Sequence, residues 1–235
     1  MKIVVISITP YKEKDGIINA ISSDGPISFT ARCVFDPKHK NSAINNNLVI
    51  ADVDLIEGHT KYPMLKNVEI LETPLGMKND LDTLASVMTI AELTKDLLQD
   101  EDKALVYEPL LAAIENLKTS DTPWKALLYY FGNFFKASGY EFEVNKCVFC
   151  GSKKDIITFS FIDGGFVCRN CLEAHTEKDL SNEQMLLLRS AFTLKDLNQD
   201  LPNCTRENAM ALLNKFFIFI EDSFNQKLKS SCLFK

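Results

Sequence analysis

Two Cys-x-x-Cys pairs, Cys147 with Cys150 and Cys168 with Cys171, constrain the fold of this chain more than any other feature of its sequence. Residues 151–167 separate the pairs, which is enough chain for one β-hairpin to return the second pair to the first. Four thiolates placed in this way surround a Zn²⁺ ion tetrahedrally, with Zn–S distances of about 2.3 Å, and leave no open position for water or substrate. The spacing therefore predicts a zinc ribbon that holds one structural zinc ion per chain.

The residues between the two pairs favour the same hairpin. Residues 156–161 form a strand-like run, Asp163-Gly164-Gly165 is typical of a tight turn, and Phe166-Val167 lead back to Cys168. His175 lies shortly after Cys171 and is an alternative metal ligand, although the four cysteines already complete a tetrahedral site.

Two other uses of paired cysteines are weaker interpretations. Disulfides belong to oxidising compartments, whereas the N-terminal sequence MKIVVISITPYKEK has only a short apolar run before Pro10 and no secretory cleavage site. A redox Cys-x-x-Cys is expected once, beside a βαβ pattern, and not as two copies joined by a hairpin. We therefore expect a cytoplasmic protein whose paired cysteines bind zinc.

Composition and charge narrow the class of protein. The 235 residues are 46% hydrophobic and 25% charged, as in ordinary globular proteins, and we expect no membrane-spanning segment. The net charge of −6 argues against DNA binding by bulk positive charge, and residues 79–140, with 5 Lys or Arg against 10 Asp or Glu, hold most of the acidic excess. The sequence has no glycine-rich nucleotide motif, GxSxG or HExxH, so we do not expect an enzyme.

Residues 1–78 predict a small β-barrel. Their strand-like runs are rich in Val, Ile and Phe and are separated by turn signals such as Ser23-Asp24-Gly25-Pro26. The predicted strands cover residues 3–8, 16–21, 27–35, 48–56 and 64–71, with Cys33 inside the third. Five short strands fit either an OB-fold or an SH3-like barrel, and periodicity does not decide between the two.

After residue 78 the hydrophobic period becomes helical. A first helix places most of its apolar side chains on one face: Leu81, Leu84, Ala85, Met88, Ala91 and Leu98. A second helix ends near Lys118, and a third runs from Pro123 to just before Gly139. We interpret Tyr129-Tyr130-Phe131 in the third helix as core, with a base-stacking surface as the alternative.

The predicted fold class is therefore α+β. An N-terminal five-stranded OB-fold-like β-barrel (1–78) precedes a helical domain (79–140), into which a four-cysteine zinc ribbon (141–178) is inserted. C-terminal helices (179–235) complete the helical domain. We expect the ribbon to have little apolar core of its own, so that zinc contributes mainly to its stability.

Several local sequences strengthen this order of elements. They are Thr9-Pro10-Tyr11-Lys12-Glu13-Lys14-Asp15, Gly25-Pro26-Ile27-Ser28-Phe29-Thr30-Ala31-Arg32, Ala137-Ser138-Gly139-Tyr140 ahead of Cys147, Gly164-Gly165-Phe166-Val167-Cys168, and the closing Leu228-Lys229-Ser230. Together with the cysteine spacing, this pattern resembles the RecO family of bacterial recombinational repair proteins through most of the chain.

The resemblance implies an OB-fold and a mediator of DNA repair and homologous recombination that is not an enzyme. Such a protein binds single- and double-stranded DNA at the nucleoid and anneals complementary strands. With RecR, it helps to load RecA onto DNA covered by single-strand binding protein (SSB). The resemblance also implies an apolar groove in the helical domain for the acidic C-terminal tail of SSB, and Lys125 or Lys136 could serve at its mouth.

Annealing requires that two phosphate backbones are neutralised while the base edges stay free to pair. We predict that Arg32, in the third predicted strand, and Lys38 and Lys40, which follow it, contact phosphates, with Lys12 and Lys14 on the neighbouring turn as secondary contacts. Without the family resemblance, a solvated loop is the simpler interpretation of Lys38-His39-Lys40.

Two other classes of function stay open at this stage. One is a zinc-ribbon scaffold that binds proteins and has no intrinsic DNA binding, and the acidic helical region favours it. The other is an enzyme that combines an N-terminal β domain with a structural zinc, for which the sequence offers no acid-base pair or phosphate-binding loop. DNA retardation distinguishes the first from a DNA-binding protein, and nucleotide-induced melting shifts would reveal the second.

Overall fold

Alternating apolar residues close the first part of the chain into a five-stranded barrel. The computed structural model describes residues 1–57, 61–73, 80–172 and 180–234. The barrel strands are β1 (Lys2–Tyr11), β2 (Asp15–Ser22), β3 (Gly25–Ala31), β4 (Ile50–Ile56) and β5 (Met64–Glu72). They close in the order β1-β2-β3-β5-β4, with β3 parallel to β5 and β1 antiparallel to β4. This closed order confirms the predicted barrel and fits the OB-fold.

Strand β1 is buried on both faces, and this attaches the barrel to the helices. Ile3 and Val5 point into the barrel core, whereas Val4 and Ile6 belong to the helical core. This division follows from the alternation of side chains along a strand. The Tyr107 hydroxyl donates a 3.4 Å hydrogen bond to the backbone carbonyl of Lys2 at the same junction.

The third strand is shorter than predicted, because β3 ends at Ala31 and the next residues form a turn. Cys33 adopts a left-handed conformation with φ of 52°. Its N–H donates to the Asp15 carboxylate at 2.9 Å, and the Phe35 N–H donates to the Lys14 carbonyl at 3.1 Å. The prediction of a strand through Phe35 was therefore wrong, since these bonds tie the segment to the β1–β2 turn instead of a strand ladder.

Five α-helices follow the barrel among the described residues. They are α1 (Leu81–Glu92), α2 (Tyr107–Thr119), α3 (Pro123–Ala137), α4 (Asn182–Thr193) and α5 (Arg206–Phe224), with a π-helical turn at Leu93–Leu97 and a closing 3-10 segment at Lys229–Phe234. Ser181 and Gln184 form a capping box at the start of α4. Asn225, in the left-handed conformation with φ of 51°, ends α5. No helix in the described part of the chain is long and apolar enough to cross a membrane.

Helix α1 buries a different face from the one predicted. Leu81, Leu84 and Met88 are 57%, 39% and 42% exposed. Two hydroxyl residues of α1, Ser86 and Thr89, are buried instead. The Ser86 hydroxyl donates to the Asp82 carbonyl and the Thr89 hydroxyl to the Ala85 carbonyl, both at 2.8 Å. A hydroxyl that bonds within its own helix needs no other partner when it is buried. The predicted face was therefore wrong for these large residues.

Helix α3 lies at the centre of the helical core. Tyr130 and Phe131 are fully buried and Tyr129 nearly so, which confirms the core interpretation of this run and excludes a base-stacking surface. The Tyr130 hydroxyl forms a 2.5 Å hydrogen bond with the Thr94 hydroxyl, which itself donates to the Ile90 carbonyl. This pair holds the π-helical turn against α3.

The ribbon is a three-stranded sheet of β6 (Glu143–Cys147), β7 (Ile156–Ser160) and β8 (Gly165–Cys168), in the order β6-β8-β7. As expected, it has little apolar core of its own, since its buried side chains, such as Phe159 and Phe166, belong to the core of the helices. Phe142, at the entry to the ribbon, contacts Phe159 and Phe161 within it, with ring centroids 5.4 and 5.9 Å apart. The same ring contacts Phe192 of α4 and Phe219 of α5 at 5.8 and 5.2 Å.

Candidate metal centre and nucleic-acid interface

The ribbon brings the four predicted zinc ligands together. The Sγ atoms of Cys147, Cys150, Cys168 and Cys171 all lie within 4.8 Å of one another, and those of Cys150 and Cys168 are 3.6 Å apart. A tetrahedral site with Zn–S distances of about 2.3 Å has S–S edges of about 3.8 Å. The cluster therefore has the donor atoms and the size for a zinc ion. The alternative ligand His175 lies outside the described residues.

The strand ends and tight turns of the ribbon position these sulfurs. Cys147 ends β6, and its carbonyl accepts a 2.9 Å hydrogen bond from the Gly151 N–H. The φ of Gly151 is 72°, a conformation that favours glycine. Cys168 ends β8 and begins the 3-10 turn Arg169–Cys171. The Val148 N–H donates to the Phe166 carbonyl at 2.8 Å, which fastens the first knuckle to the second strand of the hairpin.

Backbone N–H groups stabilise the thiolate form of Cys147, which is the form that binds a metal cation. Burial alone raises the pKa of the Cys147 thiol, but hydrogen bonds from the N–H groups of Cys150, Cys168 and Phe149 lower that pKa to about 6. A hydrogen bond with Cys150 and burial raise the pKa of Cys171 to about 12. Thiols this close compete for protons, and a bound divalent cation stabilises all of them as thiolates.

The predicted phosphate contacts lie on two neighbouring segments of the barrel. Lys12 and Lys14 belong to the β1–β2 turn, whereas Arg32, Lys38 and Lys40 belong to the segment after β3, and all five are exposed. The bonds of Cys33 and Phe35 to the β1–β2 turn hold the two segments together. The Asn41 amide adds a 2.9 Å bond to the Arg32 carbonyl. We name this surface, residues 11–15 and 32–41, the basic end of the barrel.

Carboxylates reduce the positive charge of the basic end. Its five cations share the surface with Glu13, Asp15 and Asp36. The Lys14 ammonium lies 2.9 Å from the Asp36 carboxylate, which raises the pKa of Lys14 and lowers that of Asp36 through a hydrogen bond and charge attraction. The other four cations of the basic end have no acidic side chain as a partner among the described contacts: Lys12, Arg32, Lys38 and Lys40.

The structure adds Lys61, a cation that the sequence did not single out. Pro63, two residues later, accepts 2.9 and 3.3 Å hydrogen bonds from the N–H and hydroxyl of Thr30, which lies near the end of β3. The Lys61 ammonium lies 5.6 Å from the Tyr62 ring centroid, much as the Lys12 ammonium lies 5.2 Å from that of Tyr11. Each loop therefore presents a cation beside an aromatic ring, a combination that suits single-stranded nucleic acid. The signal in the sequence was the repeated Lys-Tyr neighbour pair.

A groove with an apolar floor lies between the ribbon and α4. Its volume is ≈ 390 Å³, and Val144, Ile156, Phe166 and Met185 form most of its floor. Lys153 of the ribbon and Arg189 of α4 line it as well. Sequence analysis did not single out either cation. We call this the ribbon–α4 groove.

Lys125 and Lys136, the two lysines proposed for the mouth of an apolar groove in the helical domain, lie in different parts of the structure. Lys136 lines a small cleft beside Phe142 and Phe192, and this cleft shares Val144 with the ribbon–α4 groove. Lys125 instead lies near Cys204, where its charge opposes the rise that burial produces in the pKa of that thiol. Only Lys136 therefore adjoins the groove.

Comparisons with known proteins identify the family of this chain. The family model for the C-terminal part of recombination protein O matches residues 78–230, well over half of the chain. The DNA repair protein RecO of Bacillus pumilus is 26% identical over 220 residues, which cover 91% of this chain and 86% of the relative. That of Halalkalibacterium halodurans is 25% identical over 198 residues (83% and 78%), and that of Acetivibrio thermocellus 27% over 174 residues (72% and 69%). The chain therefore belongs to the RecO family of recombination and DNA repair proteins.

Proposed function

We propose that this protein is a mediator of DNA repair and homologous recombination that acts on DNA by binding and not by covalent catalysis. It binds single- and double-stranded DNA through the basic end of the barrel, anneals complementary strands, and works with RecR to load RecA onto SSB-coated DNA. Its place of action is the bacterial nucleoid. The relatives named DNA repair protein RecO support this role at the level of the family.

The observation that carries the proposal is the juxtaposition of the β1–β2 turn and the loop after β3 on an OB-like barrel. The loop between the first two strands and that between the last two are where OB-folds bind oligonucleotides. Here Lys12 and Lys14 occupy the first loop, Lys61 the second, and Arg32 lies beside them after β3. Phosphate neutralisation by such side chains carries no sequence preference, as annealing of arbitrary strands requires.

The opposite sign of charge on the β4–β5 surface supports an oriented approach of DNA. Asp54 of β4 faces outward, and Glu69 of β5 lines the same shallow surface, where the Asp52 carboxylate is paired with the N-terminal ammonium at 2.6 Å. Phosphates are repelled there and attracted to the basic end. A net acidic chain can therefore bind DNA through one end of its barrel.

We propose the ribbon–α4 groove as the place for the acidic tail of SSB. Lys153 and Arg189 supply positive charge beside the apolar floor, so an acidic peptide with apolar side chains matches both features. Leu186 of α4, which lines the groove, is 52% exposed and offers further apolar surface. Lys136 in the adjoining cleft extends the positive charge.

Annealing of two complementary, fluorescently labelled strands tests the proposal. We expect the zinc-loaded protein to accelerate annealing of bare and SSB-coated strands, with an acceleration that declines as salt rises. Arg189→Glu should reduce the effect on SSB-coated strands and leave bare strands unchanged. No acceleration of bare strands at low salt would contradict DNA annealing and favour the zinc-ribbon scaffold, the alternative that the acidic helices and apolar grooves suggest.

A further inference from the structure

A second apolar groove lies between the tip of the ribbon hairpin and α5. It is separate from the ribbon–α4 groove and from the basic end, and it shares Tyr140, Glu141 and Phe142 with the small cleft that Lys136 lines. Its volume is ≈ 450 Å³, within the range of ligand-binding clefts. Four aromatic rings form its floor, with neighbouring ring centroids 5.2 to 5.9 Å apart: Tyr140, Phe142, Phe161 and Phe219. None of the cations assigned to DNA lines it.

Two exposed isoleucines flank this floor. Ile162 at the hairpin tip is 98% exposed, and Ile218 on α5 is 57% exposed. Single apolar residues on a surface are common, but here two large ones adjoin one aromatic floor. An apolar centre with a polar rim is the anatomy of a protein-binding surface.

The rim of the groove has a definite charge. Glu141, Asp163 and Asp222 are exposed carboxylates of the lining, against one cation, Lys215, among the described residues there. Such a rim repels phosphates and therefore disfavours DNA, anionic lipid and an acidic tail. It attracts Lys and Arg.

We infer that this groove binds a segment of a partner protein in which apolar side chains lie next to Lys or Arg. The apolar side chains of the segment cover Ile162 and Ile218 and contact the aromatic floor. Its cations pair with Glu141, Asp163 and Asp222. The charge of this ligand is the reverse of that expected for the ribbon–α4 groove, so the two grooves bind different partners.

Fluorescence anisotropy with two short labelled peptides tests the inference. One peptide alternates Leu and Phe with Lys and Arg, and the other carries Glu in place of each cation. We expect saturable binding of the basic peptide only. Ile162→Asp should weaken it about tenfold or more, as for a central apolar contact. Because Ile162 is almost fully exposed, this variant should keep the wild-type melting temperature and DNA binding.

Two further variants make the result decisive. Leu105→Asp places the same charge at another exposed apolar residue, 64% exposed, and should leave peptide binding unchanged. The double variant Glu141→Lys with Asp222→Lys should prefer the acidic peptide. The inference is overturned if the basic peptide does not bind, if Ile162→Asp binds it as the wild type does, or if this variant instead abolishes self-association, which would make a second copy of the chain the occupant.

Discussion

The Lys14 ammonium and the Asp36 carboxylate, 2.9 Å apart, join the β1–β2 turn to the segment after β3 with an ion pair at the centre of the basic end. The pair holds Lys14 in place and also cancels its charge. A phosphate placed here would therefore compete with Asp36 for this cation.

Replacing Asp36 by Asn should strengthen DNA binding. The amide oxygen can still accept a hydrogen bond from Lys14, but the cation becomes available to a phosphate. One added contact steepens the dependence of log K on log salt by ~0.7 for single strands. Titration of labelled single strands over a salt series measures this slope. Asp200→Asn, which removes an exposed carboxylate outside the barrel, is the matched control, and an equal change in both variants would mean that only net charge matters.

Replacing Lys38 and Lys40 together by Ala should weaken single-strand binding. Both side chains are exposed, so their loss should not affect folding. If each contacts a phosphate, the salt slope falls by about 1.4 in total, from ~0.7 for each contact. Lys195→Ala with Lys227→Ala removes the same charge from exposed positions outside the barrel. An unchanged slope in the Lys38 and Lys40 variant would exclude this loop from the DNA interface.

The cysteine site could be predicted because its geometry is almost entirely local. Two knuckles and a hairpin fix the four sulfurs, and glycines such as Gly151 and Gly164 stand where φ is positive. The strand pairing of the barrel was not predictable in the same way. The parallel contact of Thr30 with Met64 joins segments far apart in sequence, and periodicity says which face of a strand is buried but not which strands are neighbours.

The end of β3 and the buried face of α1 were predicted wrongly for a shared reason. Val34 and Phe35 look like strand residues, but the carboxylate of Asp15, at the start of β2, accepts the N–H of Cys33. Thr89 looks like a surface residue, but its hydroxyl is satisfied by the Ala85 carbonyl one turn earlier. Hydrogen bonds of single side chains therefore overrode hydrophobic patterning, and a hydrophobicity count does not include them.

Replacing Cys168 by Ser should abolish zinc binding and destabilise the whole chain. Phe159 and Phe166 are buried in the core shared with the helices, so a disordered ribbon uncovers that core. A loss of about 4 kcal/mol lowers the melting temperature of a protein of this size by roughly 10 °C. Metal analysis and thermal melting measure both effects. Cys232→Ser, outside the cluster, should keep one zinc and the wild-type melting temperature.

Zinc retention should also depend on pH. Cysteine sulfurs bind zinc as thiolates, so protons compete with the metal and the affinity of such a site falls as the pH is lowered. Cys168→Ser and the wild-type protein at low pH should therefore give similar metal-free proteins.

Full zinc content and native melting in Cys168→Ser would disprove the assignment of Cys168 as a ligand.

Replacing Glu92 by Ala should release the C-terminal segment Lys229–Phe234 from α1. The Glu92 carboxylate accepts hydrogen bonds from the Lys229 N–H at 2.7 Å, the Ser230 N–H at 2.9 Å and the Ser230 hydroxyl at 2.7 Å. This contact gives a structural role to the closing Leu228-Lys229-Ser230 sequence. Loss of an ionised acceptor costs about 2 kcal/mol, because its former donors are left without that partner. Hydrogen exchange should show faster exchange at the Lys229 and Ser230 amides in the variant.

The conservative variant separates a positional role from a general loss of stability. Glu92→Gln keeps a neutral acceptor at the same place and should show an intermediate loss of protection at Lys229 and Ser230. The DNA-binding slope should stay at the wild-type value in both variants, because Glu92 and the basic end lie on different parts of the fold. Unchanged amide protection in Glu92→Ala would mean that burial of Leu228 and Phe234 alone, without the carboxylate, anchors the segment.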